Sequence, residues 1–212
     1  MSLFYQQDIN ETTRLGIWKI EEDHNFFLRE VPLQREITHP HKKLQHLAGR
    51  YLLKMMFPDF PYDLIRIADT RKPFLHNEQY HFSISHSGDY AAAIVSTRER
   101  VGVDVELYSS KVIKVLHKFL SMQEQELING KNSFPYEFET LLWSVKESVF
   151  KWHGNGGVDF KDHIRLLGLE EDSRLAVSFT GEPPASLDVH YRVFPEVCLS
   201  WVSSELDSKI VR

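Results

Sequence analysis

Two short stretches hold side chains whose types and spacing could do chemistry. In Val101-Gly102-Val103-Asp104-Val105-Glu106 apolar and polar residues alternate. A strand with that alternation turns the three valines to one face and Asp104 with Glu106 to the other. In Trp143-Ser144-Val145-Lys146-Glu147-Ser148-Val149-Phe150-Lys151 the spacing is helical. Leu142, Val145 and Val149 make an apolar stripe, while Trp143, Glu147 and Lys151 recur every four residues on another face. Facing each other, strand and helix would gather three carboxylates and one ammonium around a small volume. Acids so crowded are costly unless a cation lies among them. Hard oxygen donors suit Mg²⁺, which takes one or two carboxylates and leaves its other positions to water and phosphate. The lysine suits phosphate directly, so the outline is that of phosphoryl transfer. The plain alternatives are a solvated acidic strand face and an ordinary i,i+4 helix pair.

The elements that must position these residues can be read along the chain. Leu15 to Ile20 alternates as an opening strand, and Glu21 to Leu33 reads as a helix. From His41 to Phe57, Leu44, Leu47, Ala48, Tyr51, Leu52 and Met55 keep helical spacing until Pro58. Lys42, Lys43, Arg50 and Lys54 lie on or beside that helix. Asp63 to Ala68 reads as a short strand running into the cationic, proline-fixed turn Thr70-Arg71-Lys72-Pro73-Phe74. His81 to His86 and Tyr90 to Ser96 are strands about the turn Ser87-Gly88-Asp89. His86 enters that turn, where backbone N–H groups and the hydroxyls of Ser85 and Ser87 could meet a phosphate.

After Glu106 a helical stretch runs from Lys111 to Phe119, and Ser121 with Glu124 spells a capping box. Asn129 to Pro135 reads as a loop, Glu137 to Trp152 as a long helix ended by Gly154. Strands follow at Asp162–Leu166, Arg174–Phe179, Leu187–Phe194 and Val197–Ser203, and the chain from Asp207 reads as frayed. Both halves run long helix, Asp-x-Ile-Arg, then strands. That order predicts an α+β protein of two similar halves, 1–103 and 104–212, related by a pseudo-twofold, with the Asp104 strand at their junction.

Composition excludes several classes. The 212 residues can bury a full core, and 42% hydrophobic with 26% charged residues is the balance of a water-soluble fold. A net charge of −5 is unlike that of a general nucleic-acid binder. The single cysteine, Cys198, rules out an internal disulfide and any multi-cysteine metal site. The start has neither the basic nor the apolar region of a secretion signal, so a cytoplasmic protein is expected. No His-Glu-x-x-His, phosphate-binding Gly-Lys-Ser/Thr or Gly-x-Ser-x-Gly occurs, and the eleven histidines are scattered, which argues against a zinc enzyme.

Taken together, Arg71-Lys72-Pro73, Ser83-Ile84-Ser85-His86-Ser87-Gly88, Gly102-Val103-Asp104-Val105-Glu106 and Trp143-Ser144-Val145-Lys146-Glu147-Ser148-Val149-Phe150-Lys151 resemble the Sfp-type 4′-phosphopantetheinyl transferases, in order and in spacing. With Ala48-Gly49-Arg50 included, the likeness spans roughly residues 35–160. The resemblance implies transfer of the 4′-phosphopantetheine arm from coenzyme A to a serine of an acyl or peptidyl carrier protein, releasing adenosine 3′,5′-bisphosphate. It implies a monomer of paired α+β halves with coenzyme A in the cleft between them. Asp104, Glu106 and Glu147 would hold Mg²⁺, and Glu147 would serve as base for the serine, directly or through water. Lys151 would contact the pyrophosphate, and Lys72, Ser85 and His86 the phosphates of coenzyme A. The family often has glycine where this chain has Arg71, a candidate further phosphate ligand, and Arg35 and Lys43 are candidates for the 3′-phosphate. The segment from Lys111 to Gln125, with Val112, Val115, Leu116, Phe119 and Leu120, is a candidate carrier surface, with core packing as its plain alternative. Two other functions are compatible with the same acids: a Mg²⁺-dependent phosphohydrolase, and a non-catalytic coenzyme A-binding protein.

Overall fold

The computed structural model describes residues 2–126 and 136–206, so the expected loop from Asn129 to Pro135 and the tail from Asp207 lie outside it. The chain divides into two compact units. One comprises the residues up to Val101 with those from Ser203 onward; the other is Gly102–Val202. The class is α+β, as expected.

In the first unit, β1 (Leu3–Asp8), β2 (Thr13–Lys19), β5 (His81–Ser87) and β6 (Tyr90–Ser96) form a four-stranded sheet in the order β1-β2-β6-β5. β1 was not expected. Its sequence is only partly apolar, and its residues are half-buried or exposed, so the alternation that marks a covered strand is weak. The expected helix over Glu21 to Leu33 contracts to α1 (His24–Leu28), capped by the Asp23 side chain on the Phe26 N–H at 3.0 Å. Pro32 disfavours helical geometry at Val31 and closes off any extension.

α2 (Pro40–Met56) forms because Pro40 starts it with a preset φ and Leu47, Ala48, Leu52, Leu53 and Met56 fall on one stripe, all fully or almost fully buried. Gly49 lets it lie close on the sheet: a Cβ there would come within 2.6 Å of the Ile84 side chain on β5. β3 (Ile65–Ile67) and β4 (Pro73–Leu75) make a separate hairpin.

In the second unit, β7 (Glu99–Leu107), which the division crosses at its start, opens a five-stranded sheet. Its order is β7-β11-β10-β9-β8, where β8 is Ile164–Glu170, β9 Arg174–Phe179, β10 Ala185–Val193 and β11 Val197–Glu205. The expected helix from Lys111 to Phe119 is instead a 3₁₀ stretch, Ser110–Val115, followed by α3 (Leu116–Phe119). The branched side chains of Val112, Ile113 and Val115 weaken α-helix there. The capping box is real at the start of α4 (Met122–Glu126): Glu124 N–H donates to Ser121 Oγ at 3.2 Å and Ser121 N–H to Glu124 Oε2 at 2.7 Å. α5 (Glu137–His153) ends at Gly154, whose φ of +78° is the left-handed cap that glycine adopts without penalty. Its stripe Leu141, Leu142, Val145, Val149 and Trp152 enters a core with Ile164, Leu175, Val177, Val189 and Val202.

Candidate active site

Within the second unit β7 and α5 meet backbone to side. A Cβ on Gly102 would fall against the carbonyl oxygen of Ser148 and within 2.6 Å of the Trp152 nitrogen. Glycine therefore serves here to let the helix approach. That approach brings the two acidic motifs together. Asp104 is 2% exposed, so the solvated-face reading fails for it. Its Oδ1 accepts a hydrogen bond from Lys151 Nζ at 2.6 Å. Lys151 thus reaches across to the strand, beyond its helical neighbour Glu147. Glu106 Oε1 accepts from the indole Nε1–H of Trp143 at 3.3 Å.

Glu147 reports how closely the acids crowd. Burial first, then the Asp104 and Glu106 carboxylates, push its pKa up to about 7, against the opposing pull of Lys151. The same two acids add to burial in raising the Cys198 thiol, which leaves that cysteine inert. Carboxylates are the donor type that suits a hard divalent cation, and in this respect Asp104, Glu106 and Glu147 fit Mg²⁺. Among the described residues no three acidic, histidine or cysteine side chains converge closely enough to hold a metal as they stand.

The cationic residues belong to the first unit. Lys72 has its pKa pushed down to about 8, chiefly by burial and then by Arg100. Arg71 is exposed and takes a φ of +67°, a backbone state that glycine adopts freely. Ser85 is buried and His86 exposed, since successive residues of β5 face opposite ways. Lys43 is half-buried on α2, and Arg35 is exposed.

Arg50 and His46 were not among the expected site residues, yet they form the most unusual charge arrangement in this unit. Arg50 is 6% exposed, its Nη1 lies 3.1 Å from His46 Nδ1, and it has no carboxylate ion-pair partner among the described residues. Its Nε and the His46 Nε2 are buried without hydrogen-bond partners among the described residues. Burial, then Arg35, pushes the Arg50 pKa down to about 10. Burial, then Arg50, Arg35 and His86, pushes that of His46 down to about 3. A buried guanidinium facing other cations is costly, and an anion is what would satisfy it. The sequence signal was a lone arginine inside the apolar stripe Leu47, Ala48, Leu52 and Leu53.

Comparison with known proteins supplies the class. Residues 100–198 match the family model described as the 4′-phosphopantetheinyl transferase superfamily. The resemblance read from the motifs is thereby borne out. Among individual proteins, the chain is similar to enterobactin synthase component D of Salmonella austin, 32% identical over 141 residues that cover 66% of this chain and 56% of that protein. It is also similar to the L-aminoadipate-semialdehyde dehydrogenase-phosphopantetheinyl transferase of Mus musculus, 27% identical over 173 residues, 72% of this chain and 51% of that one. The 4′-phosphopantetheinyl transferase ffp of Bacillus subtilis is 31% identical over 98 residues, 46% of this chain and 43% of its own. The chain thus spans about half the length of the curated relatives it matches. No helix of the described residues is long and apolar enough to cross a membrane.

Proposed function

We propose that this protein transfers the 4′-phosphopantetheine group from coenzyme A to a serine of an acyl or peptidyl carrier protein and releases adenosine 3′,5′-bisphosphate. One observation carries the reading. The segment that matches the transferase superfamily holds Asp104, Glu106 and Glu147, with Lys151 Nζ 2.6 Å from Asp104 Oδ1, and burial followed by the other two acids raises the proton affinity of Glu147.

In the proposed reaction the serine Oγ forms a bond to the β-phosphorus of coenzyme A while the bond from that phosphorus to the bridging oxygen breaks. The serine proton would pass to Glu147 as general base, directly or through water. Asp104, Glu106 and Glu147 are the residues that would hold Mg²⁺, whose charge would neutralise the pyrophosphate oxygens. Lys151 would share itself between Asp104 and the pyrophosphate. Lys72, Arg71, Ser85 and His86 would contact the phosphates of coenzyme A, with Lys43 and Arg35 as further candidates. Arg50 joins that set because it is a buried charge awaiting an anion.

The carrier surface needs revision on the same ground. Val112, Phe119 and Leu120 are buried in the core, so packing accounts for them. What the segment offers an acidic carrier is Ile113 and Met122, 39% and 83% exposed, beside the exposed Lys111, Lys114 and Lys118. A monomer working in the cytoplasm completes the proposal.

The test is the intact mass of an apo carrier protein after incubation with this protein, coenzyme A and Mg²⁺, with Glu147→Ala as control. Addition of one phosphopantetheinyl group by the wild type, and none with the variant or with chelator, is the expected result. Breakdown of coenzyme A without a carrier would establish the phosphohydrolase instead. Binding with neither outcome would leave a coenzyme A-binding protein.

A further inference from the structure

One buried charge in the second unit has no part in the chemistry proposed above. Lys146, next to Glu147 on α5, is fully buried. Its ammonium donates to Phe119 O at 2.7 Å and Phe160 O at 2.9 Å, and pairs with Glu124 Oε1 at 2.7 Å. An ammonium has three protons, and three acceptors surround it. Glu124 is in turn fixed by the Ser121 and Leu166 N–H groups at 2.7 and 2.8 Å. The two residues whose carbonyls Lys146 holds are also the two whose rings pack on Trp143. Phe119 meets the indole edge-on, centroids 5.1 Å apart, and Phe160 lies tilted at 5.5 Å. Trp143 precedes Lys146 by three positions, hence on the same side of α5. The other end of that indole donates its N–H to Glu106.

We infer that Lys146 and Trp143 are positioning residues for Glu106: the Lys146 ammonium pins the Phe119 and Phe160 main chains, their rings fix the indole, and the indole N–H aims the Glu106 carboxylate. A carboxylate at the end of a strand has rotamers to lose when it binds a cation. An outer hydrogen bond that selects one of them strengthens binding, and removal of such a bond commonly weakens it by about 10–100-fold. The relay also gives Lys146 a reason to be charged. An apolar residue could fill its volume, but only a three-proton donor ties two carbonyls and a carboxylate at once. The inference rests on the reading of Glu106 as a metal ligand.

The test uses Trp143→Phe, which keeps a ring between the two phenylalanines and deletes the donor, and the double variant Lys146→Met with Glu124→Gln, which removes the buried pair together. Mn²⁺ binding by electron paramagnetic resonance is expected to weaken about tenfold in each. Combining all three substitutions is expected to weaken it no further, since they act along one route. The thermal midpoint of Trp143→Phe should stay near that of the wild type.

A second readout needs no metal. The ¹⁵N-indole resonance of Trp143, assigned by its loss in Trp143→Phe, should shift in Glu106→Gln and in the double variant. An indole signal unmoved by the double variant, or Mn²⁺ binding by Trp143→Phe equal to that of the wild type, overturns the relay. A wild type that binds no Mn²⁺ overturns the reading of Glu106 as a ligand, and the indole resonance still decides whether Lys146 positions it.

Discussion

Lys72 and Arg71 are adjacent, yet their environments assign them different tests. Burial beside Arg100 holds the Lys72 pKa at about 8, so its charge is present below that pH and is lost above it. If that charge meets a phosphate of coenzyme A, kcat/KM for coenzyme A, which reports groups of the free enzyme, should fall as pH rises through about 8. Lys72→Arg, charged throughout, should lose that alkaline limb in a pH profile. Arg71 presents a backbone question first. A non-glycine residue at its φ of +67° costs about 1–2 kcal/mol, part of which glycine returns through the greater freedom it gives the unfolded chain. Arg71→Gly is therefore expected to leave stability unchanged or raised by about 1 kcal/mol in a urea titration. If Arg71 binds phosphate, the same variant should raise the KM for coenzyme A; an unchanged KM would leave Arg71 as a residue that tolerates its turn and nothing more.

At the level of elements, the meeting of β7 with α5 builds the acidic cluster. Gly102 lies against the backbone of α5 at Ser148 and Trp152, atoms that cannot swing aside as the end of a side chain could. Gly102→Ala must push strand and helix apart, at a cost of about 1–3 kcal/mol or more. It should also separate Lys151 from Asp104 and relax the repulsion at Glu147. Chemical denaturation and the Mg²⁺ dependence of activity are expected to worsen together, whereas a substitution on the outer face of α5 would alter neither.

Much of this arrangement was legible in advance. The period-two alternation of β7 and the stripe of α5 fixed which residues share a face, and Ser121 with Glu124 announced a cap. The unread features were those set by tertiary contact. Lys151 reaches Asp104 on the strand, more deeply buried than the neighbouring Glu147, and buried charges attract more strongly. The burial of Lys146 carried no sequence signal, since nothing local in the chain says that three acceptors from distant segments will surround it. β1 escaped because its partner β2 recruits it through the backbone and little apolar surface is involved.

For the molecule as a whole, stability and function pull against each other at Arg50 and His46. The chain is acidic, at −5, yet this region of the first unit gathers a buried guanidinium and a neighbouring imidazole facing Arg35 and His86. The His46 pKa falls from 6.5 to about 3 on folding, so the unfolded chain binds the proton more readily. The stabilisation this gives is complete above pH 6.5 and is lost as pH falls toward 3. Arg50→Met removes the charge that helps depress His46 and leaves a side chain of similar length in the apolar stripe. The acid loss of stability should shrink, and the free protein should unfold at a higher temperature, as when other poorly compensated buried charges become apolar.

The wild type should gain more from ligand. Coenzyme A at about a hundred times its Kd stabilises by about 2.7 kcal/mol through mass action alone, and an Arg50 that meets a phosphate supplies much of that affinity. Thermal unfolding with and without coenzyme A, with no divalent metal present, separates the two effects. The variant is expected to start higher and shift less, while the wild type starts lower and shifts more. A variant that starts lower, or one whose coenzyme A shift equals that of the wild type, would make Arg50 a structural residue and return the phosphate to Lys72, His86 and their neighbours.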